Sequence, residues 1–511
     1  MQQKRLFGLR PSFSAHVRSS ERGAPVRFPL TIPPPDFPCP TRLLAVSVPV
    51  AAEMVAPQIV IRRGARYPDG PGFARRVLSG ELFRQSAADF MLNTARRYGD
   101  LNHYTGFGRH IFQFNHPQFI EELLLRDASR HHRGVVMQRA KMVLGEGLLT
   151  SEVPLHMRQR RLAQPAFHRQ RIAAYGQIIA AYAAEMSTRW ESGAVMDLHP
   201  EMLLLALRVV GKTLFDTNVE TEVKEIAEAV DSFMGFLPVA FLPFPEVILR
   251  LPLPAMKRIR QGQAYLDGLI YRMIAERRKD PGDRGDLLSM LLSAVDTEEG
   301  TGGMSDRQVR DECVTVMLAG HETTANALSF AVWELARNPD VQERLYQECR
   351  AVLGARAPTA EDYGRLTYAN RVFAETIRLY PPVWVTARTA VEAYEYHGVR
   401  IPKGAILLAP QIVAHRDPRF WEDPMRFDPE RFTEEKKARR PRFCYFPFGA
   451  GARQCIGEGL AWMEGVLILA SIASSWKLSL PEGSPNELPM HPAISLRPKG
   501  GVRLRVDRRP S

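Results

Sequence analysis

A glycine-rich turn near the C-terminal end of the chain carries a cysteine that is suited to ligate a metal. Residues 448–457 read FGAGARQCIG, in which Arg453 lies two residues before Cys455. Glycine lets the backbone approach a ligand closely, and the N-terminus of the apolar helix predicted to follow favours a thiolate over a thiol. A thiolate beside a cation can bind a soft metal or haem iron. For an isolated cysteine, however, a buried structural role is the commoner alternative.

A second group of polar residues lies in the middle of the longest predicted helix. This helix begins at a capping box formed by Ser305 and Gln308 and ends at the Asn-Pro pair at 338–339. It is apolar on most faces, yet its centre reads AGHETT at 319–324. A carboxylate and hydroxyls in such surroundings must be paired or used. They indicate either a structural polar network or a proton-delivery site in a helix distorted around a small ligand.

A third pattern places opposite charges on one face of a helix. In FAETIRLYPP, Glu375 and Arg378 stand three residues apart and can pair. Such pairs usually decorate surfaces, but the apolar neighbours here favour a buried pair, which needs further hydrogen-bond partners. Arg431, in the later stretch FDPERF, is a candidate third member.

The elements that must position these residues are mainly helical. Helices are predicted at 77–98, 114–127, 155–190, 200–214, 220–236, 255–278, 306–337, 340–353, 366–379 and 457–475. Strand-like patterns are shorter and lie near 101–115, 385–402, 405–409 and 492–506. The 511 residues are 45% apolar and show no internal repeat, so they can bury a large core. The predicted fold class is therefore mainly α with a minor β portion, in one large domain.

Charge and cysteine content narrow the possible partners and compartments. The net charge is +12, but the basic residues are scattered and no nucleic-acid motif accompanies them, so an acidic protein partner fits better than nucleic acid. Five widely spaced cysteines without a CxxC pair favour a reducing compartment. No stretch reaches the roughly 18–20 continuous apolar residues of a transmembrane helix. We therefore expect a cytoplasmic protein.

The first 53 residues differ in composition from the rest of the chain. They contain nine prolines, seven basic and three acidic side chains, and no apolar period. Such a segment cannot bury enough surface to offset the entropy lost on ordering. We predict a disordered extension at 1–53 and a folded domain at 54–511, and we expect a chain beginning at Met54 to fold and bind its cofactor. A transit peptide, and with it a mitochondrial location, is the alternative.

Taken together, these motifs resemble those of the cytochrome P-450 superfamily. AGHETT matches that family's oxygen-activating helix, and Glu375, Arg378 and Arg431 match its glutamate–arginine–arginine triad. The haem-binding signature Phe-x-x-Gly-x-Arg-x-Cys-x-Gly is matched at Phe448, Gly451, Arg453, Cys455 and Gly457. The motifs follow the family's order and spacing, and the similarity extends from about residue 67 to the C-terminus.

The resemblance implies a single domain of this family's type, with haem b between the long central helix and the cysteine loop. Cys455 would be the axial thiolate ligand of the iron, with Phe448 and Gly449 in the loop around it. Arg453 and Arg388 would pair with the haem propionates, a role that suits a permanently charged guanidinium.

A basic helix supplies two further candidate contacts to the propionates. In HMRQRRLAQPAF, His156 and Arg160 fall where the family commonly has a tryptophan or histidine followed by a basic residue. Arg158 and Arg161 offer competing registers, and a solvated basic helix face is the alternative for His156.

On the opposite side of the haem, the resemblance assigns residues of the central helix. Ala319 and Gly320 would leave a groove for dioxygen, Thr323 would be the oxygen-site threonine, and Glu322 would be the acid that supplies it with protons. The implied reaction is monooxygenation, in which two electrons and two protons place one oxygen atom of O2 in the substrate and the other in water.

Two rival functions stay open at this point. A peroxide-using or rearranging haem-thiolate enzyme usually alters the acid–threonine pair, which this sequence retains at Glu322 and Thr323. A non-enzymatic haem-thiolate sensor would bind haem and carbon monoxide but support no turnover with any reductase system. The retained pair favours the monooxygenase.

Partner and substrate classes follow from two stretches. The sequence lacks the GxGxxG fingerprint that a fused reductase would show. We therefore expect electrons from NAD(P)H to arrive through a ferredoxin or flavodoxin with its own reductase, which would dock at KKARRPR (436–442). The apolar, proline-broken stretch at 233–254 lies where the family builds its access lid. It favours an apolar substrate such as a fatty acid or terpenoid, with possible contact to a membrane surface. We expect a monomer.

Overall fold

Helices outnumber short strands in the computed structural model of this chain. The structure describes residues 56–61, 65–72, 85–106, 108–217, 223–242, 244–296 and 302–510. The predicted disordered extension at 1–53 and the first part of the helix predicted at 77–98 lie outside these residues. The domain boundary at residue 54 therefore stays a prediction.

Seventeen α-helices are assigned within the described residues and are numbered in chain order. They are α1 Ala87–Tyr98, α2 Pro117–Glu121, α3 Val135–Leu144, α4 Leu155–Ala163, α5 Arg169–Thr188, α6 Leu198–Phe215, α7 Val223–Met234, α8 Phe236–Phe241, α9 Pro245–Ile248, α10 Pro254–Lys279, α11 Leu287–Ser293, α12 Asp306–Arg337, α13 Pro339–Leu353, α14 Thr367–Leu379, α15 Gln411–Ala414, α16 Glu434–Ala438 and α17 Glu458–Ser475. A π-helical turn, Glu122–Arg126, continues α2.

Fourteen short strands in the same residues form five sheets. They are β1 Leu101–Gly106, β2 Arg109–Phe114, β3 His131–Arg133, β4 Ala194–Asp197, β5 Val295–Asp296, β6 Gly302–Gly303, β7 Thr386–Ala390, β8 Tyr394–Tyr396, β9 Val399–Ile401, β10 Ile406–Ala409, β11 Trp476–Ser479, β12 Met490–Pro492, β13 Leu496–Pro498 and β14 Arg503–Arg508. The largest sheet has the order β1-β2-β10-β7-β3, and a second has the order β11-β14-β4. Three two-stranded ribbons pair β12 with β13, β5 with β6, and β8 with β9.

The central helix α12 has the bounds and the start that its sequence predicts. The Ser305 hydroxyl accepts a hydrogen bond from Gln308 N, and Gln308 Oε1 accepts one from Ser305 N at 2.9 Å, which completes the capping box. Almost every residue of α12 is buried, since the helix packs against α6, α10, α14 and α17. It therefore forms the axis of the helical core.

Two predicted elements are each divided in the structure. The helix predicted at 155–190 is two helices, α4 and α5, separated by a 3₁₀ turn at Gln164–Phe167. Pro165 explains the interruption, because it has no N–H to donate to the helical ladder. The strand-like stretch at 101–115 is a hairpin of β1 and β2 that turns next to Gly108, whose φ of +70° suits glycine.

The described residues belong to one compact unit, and their mixture of elements confirms the predicted fold class of mainly α with a minor β portion. Among the helices of these residues, none combines the length and the apolar character needed to cross a bilayer.

Candidate active site

One face of the central helix is open although the rest of the helix is buried. Between Val309 and Ala336, only Ala319, Gly320 and Thr323 are not buried. Positions 319 and 323 stand one turn apart, so they lie on the same side of the helix. The Thr323 hydroxyl donates to the Ala319 carbonyl at 2.6 Å, and the helix runs through this stretch without interruption. A small residue and a hydroxyl thus border an accessible space in the middle of the core.

Glu322 belongs to a row of polar groups that leads from the same helix to solvent. Its Oε1 accepts hydrogen bonds from Ser495 Oγ at 2.6 Å and from Arg497 Nε. Arg497 also donates to Asp231 at 3.1 Å, and the Asp231 side chain is 73% exposed. The buried carboxylate of Glu322 is therefore paired, and its partners link the centre of α12 to bulk water.

The cysteine loop folds back on itself before α17 begins. Gly449 and Gly451 have φ of +71° and +67°, and Cys455 N donates to the Phe448 carbonyl at 2.9 Å. A Cβ at Gly451 would lie 3.2 Å from the Leu124 carbonyl oxygen, so only glycine fits there without displacing its neighbours. The loop is thus a tight cradle built by backbone geometry.

Cys455 differs from the other cysteines of the described residues in being accessible, while Cys313, Cys349 and Cys444 are buried. Although the side chain is accessible on one side, the protein atoms packed around the sulfur displace water from it, and this loss of solvation raises the pKa of the Cys455 thiol to about 11 against the hydrogen bond from Gly457 N–H. The N-cap of α17 contributes the expected lowering through the Gly457 N–H, but the expectation of a net lowered pKa is wrong for the polypeptide alone.

Basic side chains from three separate elements meet beside this loop. Arg453 donates to Glu152 at 2.7 Å and to the Ser151 carbonyl at 2.6 Å. From α4, His156 contacts the Ala452 carbonyl at 3.1 Å and Arg160 donates to the Gln454 carbonyl at 2.6 Å. The structure therefore brings the predicted residues of the basic helix to the cysteine loop.

The sheet adds two more guanidinium groups to this cluster. Arg388 on β7 is paired in register with Arg133 on β3, and both approach Arg453. Burial, together with the charge of Arg453, lowers the pKa of Arg388 to about 10 and that of His156 to about 4. Arg133 Nε is buried without a hydrogen-bond partner.

This cluster has more positive charge than it can pair internally. Glu152 is the carboxylate that pairs with Arg453 and that also accepts a hydrogen bond from Arg133 N at 2.7 Å. Because four guanidinium groups surround one carboxylate, the cluster favours the binding of further anions. The two propionates of a haem would supply them. The residues present thus fit a haem placed between Cys455 and the open face of α12. Arg133 was missed in the sequence, because only the β3–β7 register brings it to Arg388.

The predicted triad is formed, and it is connected to the cysteine loop. Arg378 binds both oxygens of Glu375 at 2.6 and 2.7 Å, and Arg431 Nε lies 3.3 Å from Glu375 Oε1. Arg378 also donates to the His415 carbonyl at 2.8 Å, while His415 Nε2 accepts from Phe446 N at 3.0 Å. Burial lowers the pKa of His415 to about 3, so its ring stays neutral and can accept this bond. The triad therefore anchors the start of the loop.

Salt bridges neutralise part of the positive charge that the sequence of the basic stretch at 436–442 indicates. Lys437 pairs with Glu434 at 2.8 Å, and Arg439 pairs with Glu435 at 2.6 Å. Arg440 turns inward, where its guanidinium lies 4.1 Å from the centre of a tryptophan ring. The prediction of a docking patch here stays a prediction, with less free charge to support it.

A second carboxyl group adjoins the central helix from α17. Glu464 is buried, its Oε1 has no hydrogen-bond partner, and its side chain bonds to Thr324. Burial raises its pKa to about 8. The group is therefore largely protonated at neutral pH in the folded protein.

This raised pKa predicts a stability that falls as pH rises. In the unfolded chain Glu464 loses its proton at its ordinary pKa of 4.5, whereas in the folded protein it keeps the proton up to about pH 8. From pH 6 to 8 this group alone should cost the folded state roughly 2 kcal/mol. We expect Glu464→Gln to lose correspondingly less stability over that range in urea titrations. An identical pH profile in the variant would contradict a protonated Glu464.

Several known proteins resemble this chain. The family model described as Cytochrome P-450 matches residues 69–504. The chain is 40% identical to cyclooctatin synthase of Streptomyces melanosporofaciens over 75% of its own length and 83% of that protein. It is 35% identical to pentalenene oxygenase of Streptomyces avermitilis over 71% of its length and 81% of that protein.

Two further proteins resemble this chain. Cyclooctat-9-en-7-ol 5-monooxygenase of Streptomyces melanosporofaciens is 37% identical over 71% of this chain and 79% of its own length. The crystal structure of the cytochrome P-450DA haem domain superimposes with a TM-score of 0.77 at 26% identity, covering 87% of this chain and 98% of that one.

Proposed function

This chain belongs to the cytochrome P-450 family, and we propose that its substrate is an apolar terpenoid, oxygenated with electrons from a separate ferredoxin or flavodoxin. As a member of this family it is a monooxygenase that carries haem b and uses O2, with electrons that come from NAD(P)H through partner proteins. The observation that carries the proposal is the similarity to relatives named for cyclooctatin, pentalenene and cyclooctat-9-en-7-ol. Fatty acids are the alternative substrate class.

When bound, the haem supplies the activation of O2, and the chain's own residues hold it and control access to it. Cys455 would bind the iron, whose positive charge would lower the pKa of the thiol that the surrounding protein atoms raise in the polypeptide alone. Arg133, Arg388 and Arg453 would hold the propionates, with Glu152 keeping Arg453 in place.

On the distal side, hydroxyl and carboxylate groups would supply protons. The Thr323 hydroxyl donates its proton to the Ala319 carbonyl, so its oxygen is left free to accept a hydrogen bond. Glu322, Arg497 and Asp231 form the row that connects this part of α12 with solvent. We assign proton entry to this row and proton placement to Thr323.

The role of the Thr323 hydroxyl can be tested by measuring the amount of product formed per NAD(P)H consumed. We expect Thr323→Ala to bind haem normally but to release hydrogen peroxide, with product per NAD(P)H lowered by about tenfold. Thr323→Ser keeps the hydroxyl and is the matched control, which should retain most of the coupling. If Thr323→Ala forms product as efficiently as the wild type, Thr324 or bound water delivers the proton instead.

The substrate class is tested by spectral titration followed by turnover. Purified protein is titrated with cyclic terpene hydrocarbons, their alcohols, and fatty acids, and ligands that shift the haem absorbance are incubated with a ferredoxin, its reductase and NAD(P)H. We expect shifts and oxygenated products with terpenoids. Products from fatty acids alone would overturn the terpenoid assignment, and binding without turnover in any redox system would favour a sensor.

A further inference from the structure

Two buried polar side chains of α12 lie on the same side of the helix as its open face. The residues that fall within about 80° around the helix axis are Glu312, Thr315, Ala319 and Thr323. Glu312 has no exposed surface, and Thr315 is 4% exposed. Ala319 and Thr323 border the accessible space in the middle of the core. The open face of α12 therefore continues toward the start of the helix as a buried polar strip.

Each of these two buried side chains keeps one oxygen without a hydrogen-bond partner among the described residues. Glu312 accepts a hydrogen bond from Leu148 N through Oε2 at 3.0 Å, but its Oε1 has no partner. The Thr315 hydroxyl has no partner either. Because a buried polar atom without a partner destabilises a protein, the two atoms together favour a ligand that bonds to them.

The Thr315 hydroxyl differs from the hydroxyls of other threonines on helices of this protein. Thr213, Thr323 and Thr376 each donate to the carbonyl four residues earlier in their own helix, at 2.7, 2.6 and 2.8 Å. Thr315 makes no such bond. Its hydrogen and its oxygen lone pairs are therefore both available to another group.

The loop that follows α3 lies against this strip. Gly147 approaches so closely that a Cβ there would lie 2.3 Å from Thr315 Oγ1. The bond from Leu148 N holds the same loop to Glu312. Burial raises the pKa of Glu312 to about 8, so its carboxyl group is mostly protonated at neutral pH and can donate as well as accept. The strip thus offers neutral donors and acceptors and needs no charged ligand.

We propose that Glu312 and Thr315 anchor an oxygen atom of the substrate, which is then a terpenoid that already carries a hydroxyl or carbonyl group. A carboxyl group and a hydroxyl together provide the acceptor and the donor that an alcohol requires. A reaction that installs this first oxygen must precede the one catalysed here. The terpenoid class rests on the proposed function, whereas the anchor does not.

The anchor also predicts where the new oxygen enters the substrate. Thr315 and Glu312 lie about 6 and 10 Å from Ala319 along the helix axis. A molecule held by the anchor therefore presents a carbon remote from its existing oxygen to the open face of α12. We expect products whose two oxygens are on separate parts of the skeleton. A main product oxygenated on the same or the neighbouring carbon would overturn the anchor.

Binding is tested by spectral titration of the holoprotein with ligand pairs that share a carbon skeleton and differ in a hydroxyl group. The pairs are cedrol with cedrene, and dodecanol with dodecane. We expect the wild type to bind cedrol at least about tenfold more tightly than cedrene. Thr315→Val keeps the shape of the side chain but removes the hydroxyl, so it should lower this preference at least about fivefold and leave the affinity for cedrene unchanged.

Two controls accompany Thr315→Val. Thr315→Ser keeps the hydroxyl and should retain most of the preference for cedrol. The matched control Thr213→Val removes a buried threonine hydroxyl that is bonded within α6, and it should bind both members of each pair like the wild type. Urea unfolding of the ligand-free holoprotein gives an independent readout. Thr315→Val should be at least as stable as the wild type, because it removes a buried hydroxyl that has no partner.

Three results would overturn the anchor. One is equal affinity of the wild type for alcohol and hydrocarbon in both pairs, and another is an alcohol preference that survives in Thr315→Val. The third is a clear loss of stability in Thr315→Val, which would show that the hydroxyl is bonded within the protein. A preference that depends on Thr315 but is found only with dodecanol would support the anchor and overturn the terpenoid class. The two proposals therefore fail in distinguishable ways.

Discussion

Replacing Cys455 with serine is expected to abolish the strongly red-shifted absorbance band of the ferrous carbon-monoxide complex. Cys455 is the accessible cysteine among those in the described residues, and it lies in a cradle closed by the Phe448 carbonyl. A serine oxygen donates less charge to iron than a thiolate sulfur does, so the band should disappear. The loss should be complete, because the band reports the ligand directly.

The matched control is Cys444→Ser, which changes the nearest other cysteine in the chain. Cys444 is buried, whereas Cys455 is accessible, so Cys444 offers no open side on which a haem iron could bind its sulfur. This variant should keep the red-shifted band wherever it still folds. A band that survives Cys455→Ser and disappears in Cys444→Ser would reassign the ligand.

The parts of this site that could be predicted from sequence are those built from local patterns. The capping box fixes where α12 begins, and its strong apolar character makes the helix recognisable along its whole length. The pair of Glu375 and Arg378 follows from their i,i+3 spacing, and apolar neighbours correctly indicate that it is buried. Spacing along one helix or loop is enough in each case.

The parts that escaped prediction depend on contacts between distant segments. Arg133 joins the basic cluster because β3 pairs with β7, more than 250 positions later in the chain. Glu322 pairs with Arg497 through the β12–β13 ribbon, which no pattern near residue 322 reveals. The raised pKa of Cys455 likewise arises mainly from the packing of protein atoms around its sulfur, which its position before a helix does not predict.

The largest loss of stability is expected from removing the arginine of the buried triad. Both side chains of the Glu375–Arg378 pair have no exposed surface. Arg378→Leu would leave the buried Glu375 carboxylate with the Asp428 N–H at 2.9 Å and the longer 3.3 Å contact to Arg431, and would remove the donor to the His415 carbonyl. Breaking one side of a buried pair costs about 3–5 kcal/mol. We therefore expect a protein that is largely insoluble or contains little haem.

The matched control for this variant is Arg439→Gln, which removes an arginine from an exposed pair of equal length. Arg439 and Glu435 are also 2.6 Å apart, but their side chains are 74% and 71% exposed, so their separation should cost less than about 1 kcal/mol. Urea unfolding and the ratio of haem to protein absorbance measure both variants. Because His415 connects Arg378 to Phe446, loss of haem from Arg378→Leu should exceed its loss of helical signal. Equal stability and haem content in the two variants would show that burial of the triad does not support the cysteine loop.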